Sequence, residues 1–167
     1  MSLTSFLKLF FLLALSIACS SSGNEEGDSA SNSFLEEDDE FLELEKGTSS
    51  SFTSFTNLVI TDQFSWESHY SLHRGNEFDA FNTPYVDFIN EDLIALHLGA
   101  RPSPAYSINI VSVTYDSTDN TIQIRYEELI DTITVWPQVI SYPYIFIRTH
   151  RSDLEYRFIS LGTRNIE

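Results

Sequence analysis

Cysteine is all but missing: Cys19 is the only one in 167 residues. A single thiol excludes an internal disulfide, so any core must hold by packing alone. Positive charge is scarce as well. Nine Lys and Arg stand against 25 Asp and Glu, for a formal net charge of −16. That balance excludes DNA or RNA as a partner, because such binding rests on neutralising phosphates with Lys and Arg. It also excludes a basic patch as the means of holding anionic lipid. Two enzyme signatures are absent too: the sequence has no Gly-x-Ser-x-Gly elbow and no phosphate-binding Gly-rich loop. The chain therefore reads as noncatalytic, with no cofactor.

What is present begins with a leader. Lys8 precedes the apolar run Leu9-Phe10-Phe11-Leu12-Leu13-Ala14-Leu15, and Ser16-Ile17-Ala18 lead into Cys19. A basic start, a short apolar core and a small residue before the cut are the layout of a secretory signal peptide. The run is far short of the roughly 20 residues that span a bilayer. With a thiol at the cut site, the leader resembles a bacterial lipoprotein signal, although Ser16 stands where that pattern expects an aliphatic residue. The resemblance implies a lipidated Cys19 as first mature residue. It also implies a location in the bacterial cell envelope, anchored to a membrane and facing the periplasm or the cell surface.

The remaining chain divides by composition. Residues 1–18 are the expected signal peptide, 19–51 the lipidated cysteine with an acidic tether, and 52–167 the folded domain. Between residues 20 and 50 there are ten acids and one Lys. Ser20 to Ser33 is Ser, Gly, Asn and acid, too polar to offset its ordering entropy. Residues 34–45 place Phe34, Leu35, Phe41, Leu42 and Leu44 among seven acids. That stretch reads as a marginal helix, a short recognition segment or a solvated charge run.

Beyond about Phe55 the texture changes to short β-branched and aromatic runs. Strands are expected at Phe55–Ile60, Leu93–Leu98, Tyr106–Tyr115, Thr121–Tyr126, Val139–Ile140, Tyr144–Arg148 and Tyr156–Ile159. An extended segment begins at Val86-Asp87-Phe88, and residues 116–120 turn the 106–126 hairpin. Thr61 and Asp62 are N-cap residues for a short helix over Phe64–Leu72 that ends at Gly75. The expectation is a mainly β fold: an antiparallel sandwich or barrel-like domain with one short N-terminal helix.

Residues that could carry chemistry are few. His69 and His73 have i,i+4 spacing, which suits zinc on a helix, yet a third ligand would have to come from His97 or His150. They read as a surface pair on a polar helix face, and His97 as a hydrogen-bonded sheet residue. No metal site is expected. Glu91-Asp92 and Glu127-Glu128 could do acid/base work only if desolvated, and read as exposed faces.

The segment that stands out is Leu98-Gly99-Ala100-Arg101-Pro102-Ser103-Pro104-Ala105-Tyr106. Two prolines and a glycine stiffen a loop between two strands, and a stiff loop loses little entropy when it binds. Arg101 is expected exposed at its tip, with Gly99, Pro102, Ser103 and Tyr106 completing a partner-binding surface. Taken with Val86-Asp87-Phe88, Leu93-Ile94-Ala95-Leu96, Ala105-Tyr106-Ser107-Ile108 and Ser141-Tyr142-Pro143-Tyr144, this loop resembles the PrcB-like C-terminal domain. That is the domain of protease complex subunit PrcB lipoproteins. Ala105 replaces the family's usual Gly, and Pro104 is an intrusion. The resemblance implies a noncatalytic accessory subunit that binds or stabilises a protein partner, such as an envelope protease. The Gly-x-x-Pro-Ser-x-x-Tyr run is also similar to a loop of chagasin-like cysteine-peptidase inhibitors, which are β-sandwiches. The alternative it implies is a peptidase inhibitor acting through Gly99–Tyr106.

Overall fold

In the computed structural model, residues 40–75 and 82–167 are described. They form two sheets and one helix in three layers. The strands are β1 (Leu42–Gly47), β2 (Thr56–Ile60), β3 (Glu91–His97), β4 (Tyr106–Asp116), β5 (Thr121–Asp131), β6 (Tyr144–His150) and β7 (Glu155–Ile166), and helix α1 is Gln63–Arg74. One sheet has the order β1-β6-β3-β2, all antiparallel. The other is β4-β5-β7.

β3 and β6 lie at the centre because both of their faces are covered. Ile94, Leu96, Ile145 and Ile147 point to the second sheet and pack with Ile108, Ile110, Ile124 and Tyr126. Their alternate neighbours Leu93, Ala95, Tyr144 and Phe146 point the other way, onto Trp66 and Tyr70 of α1. A strand buried on both faces reads as a continuous apolar run rather than an alternating one, which is the texture of Leu93–Leu98. The mainly β sandwich with a single short helix is therefore as expected.

Helix α1 starts and stops on sequence-encoded signals. Asp62 is extended (φ −151°, ψ 155°), and its carboxylate accepts from the Ser65 backbone N–H at 2.9 Å and the Ser65 hydroxyl at 2.7 Å. These bonds occupy orphan donors of the first turn and hold the Asp62 carboxyl below its usual range. Gly75 ends the helix at φ +55°, donating back to the Ser71 carbonyl.

Four features depart from the sequence reading. The folded domain starts before residue 52, because Leu42–Gly47 is a strand at the sheet edge, not part of a tether or a helix. The second sheet is not wholly antiparallel. After β5 the chain crosses to the first sheet as β6 and returns, so β7 lies parallel to β5. Val139–Ile140 is loop, not strand. Glu91 and Asp92 are buried rather than exposed, 3 % and 0 % accessible. Asp92 reaches across the layers: its Oδ2 accepts from the Tyr156 hydroxyl at 2.8 Å and the Ser152 N–H at 3.0 Å. Burial and that carboxylate push the Tyr156 hydroxyl strongly upward. Glu91 pairs with the buried Arg148 at 3.4 Å.

Edges are blunted. Register shifts interrupt β1 at Glu43/Glu45, β4 at Ile110/Ser112 and the β5–β7 pair beside Gly162 (φ +91°), while β2 has only five residues. Bulges and short edges discourage pairing with a foreign strand.

Candidate functional site

The Gly99–Ala105 loop joins the central strand β3 to β4, so it is held by the most buried part of the fold. Gly99 has φ +73°, and a Cβ there would sit 2.7 to 2.9 Å from backbone atoms of Thr53, Ser54 and Phe55. Only glycine fits that contact. Ala100 N–H donates to the Thr53 carbonyl at 3.0 Å, and Arg101 and Ser141 exchange backbone bonds at 2.8 and 2.9 Å. The Ser141 hydroxyl donates to the Ser103 carbonyl at 2.6 Å. These bonds fix the loop at both flanks. Pro102 is exposed, Tyr106 is half-buried and Ser103 is buried.

Arg101 is not presented to solvent at the tip. Its Nε donates to Glu128 Oε1 at 2.6 Å and its Nη2 to Glu128 Oε2 at 3.2 Å, while Nη1 donates to the Leu98 and Ala100 carbonyls at 2.9 and 3.0 Å. With its side chain 25 % accessible, the guanidinium is committed to holding the loop against β5. The sequence reading had no means of seeing Glu128, which lies 27 residues away and comes opposite only through the β4–β5 register.

Next to this loop is a feature that periodicity did not reveal. Between β5 and β6, residues 132–143 carry no charge, and Ile133, Val135, Val139 and Ile140 are exposed, Val135 almost completely (97 %). The loop is organised by Asp131. Its Oδ1 accepts from the Ile133 and Thr134 N–H groups at 2.9 and 3.0 Å, and its Oδ2 from Trp136 Nε1 at 3.0 Å. Those donors hold the Asp131 carboxyl down to about 2. Neighbouring acids are likewise neutralised, Glu127 by Arg164 at 2.7 Å and Glu128 by Arg101. The result is an uncharged apolar surface on an acidic protein.

The histidines are the largest surprise. His69 and His73 do not lie on a solvent face. Trp66, His69, Tyr70 and His73 form the buried i, i+3, i+4, i+7 stripe of α1, and His73 is 1 % accessible. His97, buried in β3 as expected of a sheet residue, meets them. His69 Nε2 lies 3.0 Å from His97 Nε2, and the Ser50 hydroxyl lies 3.1 Å from His97 Nδ1 and 3.0 Å from His73 Nδ1. Phe52 stacks on His69 and His97 with centroids 4.8 and 4.3 Å away, and Phe146 lies edge-on beneath the rings of His69, His73 and His97. Desolvation lowers His69 and His73 to about 4 and His97 to about 3.

Three imidazoles do not make a metal centre here. Among the described residues, no three His, Cys, Asp or Glu side chains could hold one ion. His69 and His97 approach through Nε2, but His73 turns Nδ1 to Ser50 rather than to the same point. The folded domain is expected to bind zinc no tighter than micromolar, and stoichiometric zinc surviving dialysis against a weak chelator would overturn that. His150 is exposed and distant from the cluster in sequence and strand position.

Cys19 lies outside the described residues. Among the described residues, no helix is long and apolar enough to cross a membrane.

No curated protein and no solved structure matches the chain. A family model does: residues 93–150 match PrcB C-terminal. That segment runs from β3 through β6 and contains the Gly99–Ala105 loop, the uncharged loop after β5, and the Ser141-Tyr142-Pro143-Tyr144 block. Over residues 93–150, from β3 through β6, the chain is thus similar to the PrcB C-terminal family.

Proposed function

We propose that this protein is a noncatalytic accessory subunit of a cell-envelope protease complex, anchored to a membrane by lipid on Cys19 and binding its partner through the Gly99–Tyr106 end of the sandwich. The match of residues 93–150 to the PrcB C-terminal family carries the reading, since that family's name denotes a protease complex subunit. The end itself supports it. The stiff loop carries Pro102 outward, and the uncharged 132–140 loop beside it offers apolar side chains held in place by Asp131. Rigid apolar surface is what stable partner contacts are built on. Gly99, Arg101 and Ser103 act in this reading as the frame that sets Pro102 and Tyr106.

The anchor is tested directly. Cys19→Ala should move the protein from the membrane fraction to the soluble fraction and abolish labelling by a palmitate analogue, since the leader is too short to span. Unchanged membrane retention would reject the lipid anchor. The partner is tested with the tagged full chain in its own envelope: a protease should co-purify in stoichiometric amount and keep its activity. A co-purifying protease whose activity rises when the chain is removed would mean an inhibitor instead.

A further inference from the structure

We propose that Ser50, His69, His73 and His97 form an acid-sensitive latch, which on protonation releases residues 48–55 from helix α1 and from the Gly99–Ala105 loop. These residues form a strap without regular structure between β1 and β2. The strap is tied by few bonds. Ser51 N–H donates to the His73 carbonyl at 2.9 Å, Tyr142 N–H to the Thr48 carbonyl at 2.9 Å, and Ala100 N–H to the Thr53 carbonyl at 3.0 Å. Ser50 and Phe52 then plug into the histidine cluster from above.

The proton positions follow from the contacts. His73 Nε2 faces Glu45 Oε1 at 4.0 Å, so it carries its hydrogen there rather than a lone pair against a carboxylate. Its Nδ1 must then accept from the Ser50 hydroxyl. The hydroxyl oxygen in turn accepts from His97 Nδ1–H, leaving His97 Nε2 to accept from His69 Nε2–H. Every donor points the same way along one chain, and all three rings are neutral.

A further proton fits badly. On His97 Nε2 it would set two N–H groups head to head at 3.0 Å. On His73 Nδ1 it would evict the Ser50 hydroxyl hydrogen. The charge would also arrive in a dry site. Among the described residues, the ionisable groups facing the cluster are Glu45 of β1, Tyr70 and Arg74 of α1, and Tyr144 of β6. Glu45 is the sole carboxylate among them, and it already accepts from the Tyr70 and Tyr144 hydroxyls at 3.0 and 2.6 Å while Arg74 sits 3.9 Å away. Desolvation and this carboxylate push the Tyr70 hydroxyl up to about 12, so neither phenol supplies a counter-charge. Arg74 repels a protonated His73.

The sign is fixed by the direction of the shifts. Neutral histidines are favoured in the fold, so the latch is fully closed above their ordinary value of about 6.5 and loosens as pH falls toward about 4. His97 is held in a central strand between β2 and β6; the strap is not, so the strap yields first. Its departure removes the backbone wall behind Gly99 and the stacking of Phe55 on Tyr126 of β5 at 6.3 Å, whereas Ser50, His69, His73 and His97 all lie outside the β4-β5-β7 sheet.

Hydrogen exchange on the full chain, at neutral pH and at about pH 4.5, tests this. After correction for intrinsic rates, amides of the strap and the last turn of α1 should exchange on the order of 30-fold faster at the lower pH, while those of β5 stay protected. In parallel, proton NMR should show His69, His73 and His97 titrating below about pH 5. Three buried rings titrating near the ordinary histidine value of about 6.5 would overturn the latch. So would strap exchange that does not change with pH, or strap and β5 losing protection together, which would be global unfolding.

Discussion

Phe146→Ala should lower the unfolding free energy by about 4 kcal/mol, the middle of the range for truncating a buried aromatic. Phe146 is fully buried in β6 and is the common floor of the helix-facing core. Trp66 meets it at 5.1 Å in an edge contact, Tyr144 at 5.2 Å, and His73 at 4.9 Å. Removing the ring leaves a void that neither the helix nor β3 can fill, because α1 is pinned by Asp62 and by the Trp66 Nε1–H bond to the Pro84 carbonyl at 2.9 Å. A second consequence separates this site from an ordinary core position. Water entering the void would hydrate the imidazoles, so His73 and His97 should titrate closer to their ordinary value than in the parent. Phe146→Leu should cost about 1.5 kcal/mol and leave the histidines low. Urea denaturation of both variants, with imidazole titration by NMR, checks the pair. A loss under about 1 kcal/mol for the Ala variant would mean that α1 is not docked on this face.

How much of this was legible in the sequence differs by kind of interaction. Local signals were clear. The Asp62 cap, the Gly75 stop, the 106–126 hairpin and the continuous apolar run of β3 each depend on residues near one another in the chain, and the structure has them where the sequence puts them. Signals that depend on a partner far away were not. β1 carries Glu43, Glu45 and Lys46, so its composition argues for solvent. It is a strand because β6 pairs with it and because Glu45 finds the Tyr70 and Tyr144 hydroxyls, 25 and 99 residues away. The histidine stripe was the nearest miss. Trp66 and Tyr70 share helical spacing with His69 and His73, and reading all four together would have put the imidazoles inside. The parallel placement of β7 follows from a crossover between sheets, which no window of residues contains. Asp131 followed by two backbone donors and Trp136 has the look of a capping turn, and it was the available clue to the 132–140 loop.

The same distinction decides what Arg101 does. A sequence that sets it between Gly99 and Pro102 invites the reading of a free cation for a partner, in which Arg101→Ala would leave stability unchanged. The structure gives the opposite expectation. Arg101→Ala should cost about 2 kcal/mol, because it strips a bidentate pair from Glu128 and leaves the Leu98 and Ala100 carbonyls without their guanidinium donor. The pair is a quarter exposed or less on each side, 25 % and 17 %, so it is neither a solvent-screened surface contact nor a fully desolvated one. Arg101→Lys should recover little of the loss, since an ammonium cannot serve a carboxylate and two carbonyls in one plane. A double-mutant cycle with Glu128→Ala should return a coupling of about 1 kcal/mol. If partner binding then falls in the Arg101→Ala variant, the cause is a loosened loop. The loss should be partly restored by a change that stiffens the same segment without touching the partner. Binding abolished with thermal stability intact would instead return Arg101 to the interface.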